Sequence, residues 1–233
     1  MPVKTRRFPG LTGNQLKLIA MVAMTADHVG LQLLPQLTWL RWIGRLAMPL
    51  YAFMIAEGWR HTRSRKRYFL SVALMALVCQ AVYWVAMGSV YQCILVTFSL
   101  SMGLMFLWDR VLQRPDFGSW GCFLLGLATV IFITQFLPGL LPQTDFRVDY
   151  DIWGVLLPLL VYIGKDRPQT LLFAGIGLLG LSLDHGGRQW LGMLTLPLLA
   201  LYNHRRGKAN IKYLFYFYYP VHLVVIYLLS LFL

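Results

Sequence analysis

Residues 119–139, SWGCFLLGLATVIFITQFLPG, contain no charged side chain. A helix needs about 20 consecutive, mostly apolar residues to cross the hydrocarbon core of a bilayer, so this stretch predicts a membrane-spanning helix. The rest of the chain agrees with it, since 58% of the 233 residues are hydrophobic and only 13% are charged. Average soluble domains are about 25% charged. The composition therefore excludes a soluble enzyme, a disordered chain and a secreted disulfide scaffold.

Eight further apolar runs flank this stretch, four on each side. They cover residues 12–34, 40–59, 68–88, 92–108, 150–164, 169–183, 189–202 and 211–233. Those at 150–164, 169–183 and 189–202 are short for a full span, so they extend into their loops, cross a thinned region or span only half the bilayer. The sequence predicts an all-α, polytopic integral membrane helical bundle of about nine transmembrane helices, within a range of eight to ten. We expect it to form a single domain over residues 1–233.

The basic residues lie between the apolar runs and predict the topology. With the N-terminus in the cytoplasm, 16 of the 21 Lys and Arg residues fall on the cytoplasmic side, and only Arg41, Arg147 and Arg188 fall on the other side. This bias follows the positive-inside rule and places the C-terminus outside. The net charge of +12 therefore indicates contact with membrane lipids, and no nucleic-acid partner is expected. The three cysteines form no CxxC pair, and no metal site is predicted.

Three ionisable residues, Lys17, Asp27 and His28, lie inside the first apolar run. Such residues are costly in a bilayer, so a functional role is the first interpretation. Eleven residues turn a helix by three turns plus about 20°, which puts Lys17 and His28 on one face, roughly 16 Å apart. Asp27 lies about 100° around the helix from His28, so we expect it to pair with Arg45 of the second run. The alternatives are polar contacts between helices for His28 and snorkelling for Lys17.

Other polar residues stand in or beside the second and last runs. Glu57 is one turn from Arg60 and is expected to pair with it. Pro49 is expected to free a carbonyl and to kink the second run. In the last run Tyr219 and His222 share a face, and His222 has a helix–helix hydrogen bond as its alternative role. The basic residues from Arg60 to Arg67 are suited either to anionic lipid or to a polyphosphate ligand.

Four blocks of the sequence resemble the TraX family of integral membrane proteins, named for F-pilin acetylation. They are QLKLIAMVAMTADHVG from residue 15, LRWIGRLAMPLYAFMIAEGWRHTRSRKRY from residue 40, DYDIWGVLLPLL from residue 149 and YLFYFYYPVHLVVIYLL from residue 213. That family is similar to the wider transmembrane acyltransferases, in which a basic or amide residue, ten intervening residues and a catalytic His recur on the first helix. Lys17 and His28 match that pattern. The resemblance implies a bacterial inner-membrane protein that uses acetyl-CoA as its co-substrate, with no metal.

These observations give an acyltransferase hypothesis. Acetyl-CoA in the cytoplasm supplies an acyl group to an amine or hydroxyl of a pilin-like peptide, a glycan or a small molecule. His28 is the general base or forms an acyl intermediate, while Lys17 or Arg45 stabilises the oxyanion or holds the pantetheine arm. The candidate catalytic residues are His28, Asp27, Lys17 and Arg45, and the candidate binding residues are Lys17, Arg45, Glu57, Arg60, Arg63, Arg65, Lys66, Tyr219 and His222.

Two other functions remain open at this point. Charged residues inside spans also mark ion and proton pathways, so a small transporter or channel is one alternative. Release of CoA, as opposed to flux of a solute, discriminates between them. The other alternative is a non-catalytic factor in the assembly of pili or the envelope, which would keep its function when His28 is replaced.

Overall fold

A computed structural model describes residues 10–208 and 212–232, and the elements in these ranges are helical, which confirms the all-α class. The α-helices are α1 (Gly13–Gln32), α2 (Thr38–Gly44), α3 (Ala47–His61), α4 (Arg65–Met87), α5 (Ile94–Gln113), α6 (Phe117–Ile131), α7 (Leu137–Leu140), α8 (Asp151–Ile163), α9 (Arg167–His185), α10 (Thr195–Ala200) and α11 (Lys212–Ser230). The basic residues Lys4, Arg6 and Arg7, which belong to the topology prediction, lie outside the described ranges.

Three helical stretches in the described residues are long and apolar enough to cross a membrane. They are Arg65–Val85, Ile94–Gln113 and Phe117–Leu140, and the last contains the stretch with which the sequence analysis began. The helices Asp151–Ile163 and Tyr218–Ser230 are apolar but shorter. The chain therefore carries the helices of a membrane protein, while the total of nine spans stays a prediction.

Prolines decide where the apolar runs depart from a regular α-helix. The second run is divided into α2 and α3 at Arg45 and Leu46. A regular helix would bond the carbonyl of Arg45 to the amide of residue 49, but Pro49 has no N–H, so the predicted kink becomes a break at that carbonyl. Pro138 likewise leaves the carbonyl of Thr134 without its usual donor, and a π-helical turn, Phe132–Phe136, joins α6 to α7 there.

The described chain divides into two compact units. The first combines the residues up to Met54 with those from Leu191 onward. In it α1 packs against α2 and α11, around a core of Ala23, Met24 and Ala47. The first amides of α1 are satisfied by the return of the chain, since Gly13 and Asn14 donate to the carbonyls of Arg205 and Arg206.

The second unit covers Ile55–Trp190. Its central helix is α5, which packs against α4, α6 and α8, and α8 in turn packs against α9. Glycines allow the last pair to approach closely, because a Cβ at Gly177 would overlap Leu157 and one at Gly180 would overlap Trp153. Small residues at such positions are typical of helix pairs in membranes.

Candidate functional site

The centre of the candidate site is a pair of histidines from the two ends of the chain. His28 on α1 and His222 on α11 are 194 residues apart, and Nδ1 of His28 lies 2.8 Å from Nε2 of His222. His222 is buried and His28 is half-buried. The other nitrogen of His222, Nδ1, lies 2.8 Å from the carbonyl oxygen of Tyr218. His222 therefore makes the helix–helix hydrogen bond that was its alternative role, and its partner is the His singled out on the first helix. Its role in substrate binding stays a prediction.

A second contact joins the same helices one turn away. The Thr25 hydroxyl lies 2.9 Å from the carbonyl of Met21, to which it donates, so it accepts the hydrogen bond from the phenol of Tyr218. The Tyr218 ring also stacks on the imidazole of His222, with centroids 5.1 Å apart. Residue 25 thus meets residue 218 and residue 28 meets residue 222, so α1 and α11 run parallel. These contacts hold His222 against His28 from a rigid helical frame.

Asp27, the neighbour of His28, is held by two arginines of the following segment. Its carboxylate lies 2.6 Å from Arg41 and 2.6 Å from Arg45. The predicted pairing of Asp27 with Arg45 is confirmed, whereas Arg41 was expected only as an outer loop residue. The pairing of Arg41 with Asp27 could have been predicted from its position four residues before Arg45, since both side chains then share a helix face. One negative charge between two positive charges leaves a net positive charge beside His28.

The end of the Lys17–His28 face that is predicted to be cytoplasmic lies near a second basic residue, Arg206. Lys17 is half-buried and close enough to Arg206 for their charges to repel. Met21 and Met24, which lie between Lys17 and His28 along the helix, are buried. Tyr219 packs against the core of this unit and meets the ring of His222 at an angle of 64°. Its proposed role in substrate binding, like that of Lys17, stays a prediction.

Contacts within the second unit show that Arg60, the first residue of the basic segment, has a structural role. The Glu57–Arg60 pair is confirmed, with 2.6 Å between the charged atoms. The other end of the Arg60 guanidinium donates to carbonyls at the C-terminus of α8, those of Val161, Tyr162 and Gly164. Arg60 therefore caps a helix that otherwise ends with unpaired acceptors. These contacts occupy its guanidinium, so we restrict the proposed phosphate site to the basic residues that follow it.

A buried carboxylate that the sequence analysis missed organises this part of the unit. Asp109 accepts hydrogen bonds from Trp59 at 2.9 Å and Tyr162 at 2.5 Å, and it lies 2.7 Å from Arg65. The signal was its position in the last turn of α5, where the helix dipole disfavours an acidic side chain that lacks a cationic partner. Asp109 thereby fixes the direction of Arg65, one of the candidate phosphate ligands.

Lys66, another of the candidate ligands, lines an open cavity of about 450 Å³ between α4 and α5 together with Arg65. Arg110 of α5 adds a third cation to the lining, while Arg63 is exposed and is not among the lining residues. The lining residues are Ser64, Arg65, Lys66, Phe106, Asp109, Arg110 and Gln113. A cavity with several cations and a fixed guanidinium can accept a phosphate group.

A further polar cluster lies at the start of α8, away from the predicted residues. Arg147 contacts the buried carboxylate of Asp151 at 2.9–3.2 Å, and this carboxylate raises the pKa of Arg147 above its usual value. His185 lies 3.6 Å from the same carboxylate, and with Asp184 these side chains could converge on a metal ion. Arg147 already neutralises Asp151, the one buried acid among them.

Comparison of the sequence with known proteins identifies a matching family and two relatives. The model of the TraX protein family matches residues 12–230. FimC of Dichelobacter nodosus, named a probable fimbrial assembly protein, is 28% identical over 247 aligned residues, which cover 91% of the chain and 93% of that protein. An uncharacterized protein of Rickettsia prowazekii is 58% identical over 38 residues, which are 16% of the chain and 15% of that protein. No solved structure matches significantly.

Proposed function

Because the chain belongs to the TraX protein family, we propose that it is an integral membrane acyltransferase of the bacterial inner membrane. It moves an acetyl group from cytoplasmic acetyl-CoA to an amine or hydroxyl acceptor at the membrane or on its outer side. The name of the Dichelobacter relative, a fimbrial assembly protein, favours a pilin-like peptide as the acceptor. Family membership alone does not choose the acceptor, so the proposal rests on the site itself.

The observation that carries the proposal is the pair of His28 and His222 beside a clamped carboxylate. Ionisable side chains inside a membrane are rare and are interpreted first as functional, and here two imidazoles meet across two helices. A general base has to be held in one orientation, and His28 is held by a helix from the far end of the chain. The positive charge left by Asp27, Arg41 and Arg45 is the complement that a negatively charged transition state requires.

The reaction balances with His28 as the only proton carrier. The nitrogen or oxygen of the acceptor attacks the thioester carbon of acetyl-CoA, and its proton passes to His28. The new bond to carbon forms, the carbon–sulfur bond breaks, and the thiolate of CoA takes the proton from the imidazolium. The products are the acetylated acceptor and free CoA. An acetyl-His28 intermediate would divide the same reaction into two transfers.

We assign binding of the donor to the basic residues on its predicted cytoplasmic side. Arg65 and Lys66 line the cavity between α4 and α5, and together with the exposed Arg63 they are proposed to hold phosphate groups of CoA. Lys17 is proposed to hold the pantetheine arm, with Arg206 as a neighbour that the sequence analysis did not consider. Neutralising Arg63, Arg65 and Lys66 together should raise the KM for acetyl-CoA, more so at low salt, because salt screens exposed charges.

The test of the proposal is the substitution His28→Ala. A general base contributes about 10²–10⁴-fold to the rate, so transfer of labelled acetyl groups from acetyl-CoA to envelope material should be lost. His61→Ala is the matched control, because His61 is a histidine whose side chain is 68% exposed. Mass spectrometry of envelope material from cells with and without the protein identifies the acceptor by the missing acetyl group. Near-normal transfer by correctly inserted His28→Ala protein would overturn the proposal.

The name of the relative also favours a second candidate, a non-catalytic factor in fimbrial assembly. This function needs the fold of the protein but not the chemistry of His28. Cells that carry His28→Ala would then assemble normal pili and show no change in acetylated material. Pilus assembly that fails together with acetyl transfer would favour the enzyme.

A further inference from the structure

We propose that His222 is a positioning residue that holds His28 in one tautomer, with the proton on Nδ1 and the lone pair on Nε2. The consequence for catalysis rests on the proposed function, but the tautomer itself does not. The inference follows from three groups in a row: the carbonyl of Tyr218, the imidazole of His222 and the imidazole of His28.

The row has a direction because one of its ends can only accept. A backbone carbonyl has no proton to donate, so the hydrogen bond between it and Nδ1 of His222 requires the proton to be on that nitrogen. A neutral imidazole carries one proton, and Nε2 of His222 is therefore an acceptor. The contact at 2.8 Å between this atom and Nδ1 of His28 then requires His28 to donate. This leaves the lone pair of His28 on Nε2.

This direction of the hydrogen bonds requires His222 to be neutral, and the surrounding charges favour that state. The charged groups that face His28 are Asp27, Arg41 and Arg45, and His222 is the other titratable group beside it. Asp27 is already shared by two guanidinium groups at 2.6 Å each. A protonated His222 would add a third positive charge to a buried site that holds one negative charge, which is unfavourable at low dielectric.

The resulting arrangement suits a base. Among the residues that the structure describes, none forms a hydrogen bond with Nε2 of His28, so this atom is the one that can take the proton of the acceptor. The imidazolium that forms still donates from Nδ1 to His222, which stabilises its charge without moving a second proton. In a Ser-His-Asp triad the aspartate likewise accepts the hydrogen bond from Nδ1 of the histidine and stabilises the imidazolium. Here a second imidazole, anchored on a helix carbonyl, takes that place.

His222 is itself held firmly enough for this role. Its ring stacks on Tyr218 at an angle of 8° and meets Tyr219 at 64°. The phenol of Tyr218 donates to Thr25 on the helix that carries His28. The acceptor atom of His222 is therefore placed relative to α1 by two contacts one turn apart.

The direct test is nitrogen NMR of the full-length protein in detergent or nanodiscs, labelled with ¹⁵N-histidine. Spectra are recorded well above the ordinary histidine pKa of about 6.5, and the His28 signals are those that disappear in His28→Ala. We expect a single tautomer with the proton on Nδ1. His222→Phe should convert it to a mixture. In His222→Gln the amide oxygen can occupy the place of Nε2 and should preserve the Nδ1 tautomer, while the shorter Asn in His222→Asn should not.

Kinetics give the second readout. His222→Phe should lower kcat by at least about 10-fold while leaving the KM for acetyl-CoA unchanged, since the wrong tautomer costs about 10⁴-fold in a serine protease triad. His222→Gln should recover most of this loss. A merely structural role would lower the amount of folded protein in each variant without this rescue.

The outcomes separate the inference from the proposed function. A wild-type spectrum with the proton of His28 on Nε2 overturns the inference and leaves the acyltransferase intact. Full activity of His28→Ala overturns the enzyme, although the tautomer is still found as described. Equal losses of kcat in folded His222→Phe and His222→Gln, with the Nδ1 tautomer kept in both, show that His222 does not act through the tautomer and also overturn the inference.

Discussion

Two buried or half-buried carboxylates in this protein are each compensated by cations or hydrogen-bond donors. Asp27 is paired with two arginines, and Asp109 with Arg65 and two neutral donors. A buried ionised group is tolerated only with such partners. The two carboxylates differ in their surroundings, since Asp27 lies beside a candidate base and Asp109 beside a cavity lined by cations. Removal of either charge should therefore also change the electrostatics of the neighbouring base or cavity.

The substitution Asp109→Asn should lower the thermal stability of the purified protein. It removes the anionic partner of the half-buried Arg65, which keeps its hydrogen bond to Tyr162, and loss of a hydrogen bond between charged groups costs about 1–3 kcal/mol. Asp166→Asn is the matched control, because Asp166 is exposed and caps α9, where asparagine caps equally well. The measurement is the Tm of each variant in the same detergent. Equal Tm values for wild type and Asp109→Asn would show that the network does not stabilise the fold.

At the scale of helices, close approach of backbones decides which side chains meet. Gly44 ends α2 directly against the carboxylate of Asp27 on α1, and a Cβ at this position would overlap it. The absence of a side chain thus lets Arg41 and Arg45, on either side of the glycine in sequence, reach Asp27. The same principle joins α8 to α9 in the second unit, where Gly177 and Gly180 face larger side chains.

Gly44→Ala should therefore separate α1 from α2 and weaken both salt bridges. The expected result is a lower Tm and a loss of acetyl transfer, because the positive charge beside His28 moves with α2. Gly103→Ala is the control, since no atom lies within 4 Å of a Cβ built at this helical position. Alanine is favoured over glycine there by about 1 kcal/mol, so the control should be as stable as wild type or more so. Unchanged stability of Gly44→Ala would contradict the packing.

For the whole molecule, the distribution of basic residues and the direction of the first and last helices agree on an odd number of membrane crossings. The bias in Lys and Arg predicts cytoplasmic loops at residues 60–67, 109–118, 165–168 and 203–210. Independently, α1 and α11 run parallel where His28 meets His222. If the first and last helices both cross the membrane in the same direction, the number of crossings is odd and the termini face opposite sides. The prediction of nine spans satisfies this condition.

Cysteine labelling tests the topology directly. In a variant whose three native cysteines are replaced by serine, Arg63→Cys and Arg206→Cys should stay unlabelled by an impermeant reagent in intact cells. Both should react after permeabilisation. Thr144→Cys, in an exposed loop predicted to face outward, is the positive control. Labelling of residue 63 or 206 from outside would reverse or break the predicted order of spans.

The connection around Thr144 is itself held by a surface carboxylate. Asp145 accepts hydrogen bonds from the hydroxyl of Ser89 and the amide of Val90, and these bonds lower the pKa of its carboxyl. A lowered pKa in the folded state contributes stability above the ordinary value of about 3.9, which is lost as the pH falls through the folded value. The contact of Asp145 with Ser89 and Val90 should therefore persist at neutral pH.

The sequence determined the class of the protein and most of its helices. Within the described residues, each of the nine apolar runs is mostly helical, as expected for segments that would have to satisfy their backbone hydrogen bonds internally in a bilayer. Local spacing also predicted the Glu57–Arg60 pair, and the helical period, which turns Asp27 away from His28, indicated that Asp27 pairs with Arg45 of the next run. These predictions depend on hydropathy and helical period, which are properties of neighbouring residues.

Only the tertiary structure decided which distant residues meet. The contact between His28 and His222 joins residues 194 positions apart, and no periodicity reports such a pairing. The same holds for Asp109, whose partners come from three helices, and for Arg60, which caps a helix a hundred residues downstream. The physical reason is that an apolar face specifies that a helix is buried but not against which partner. That choice is made by buried charges and hydrogen bonds, which are satisfied only once the helices have packed.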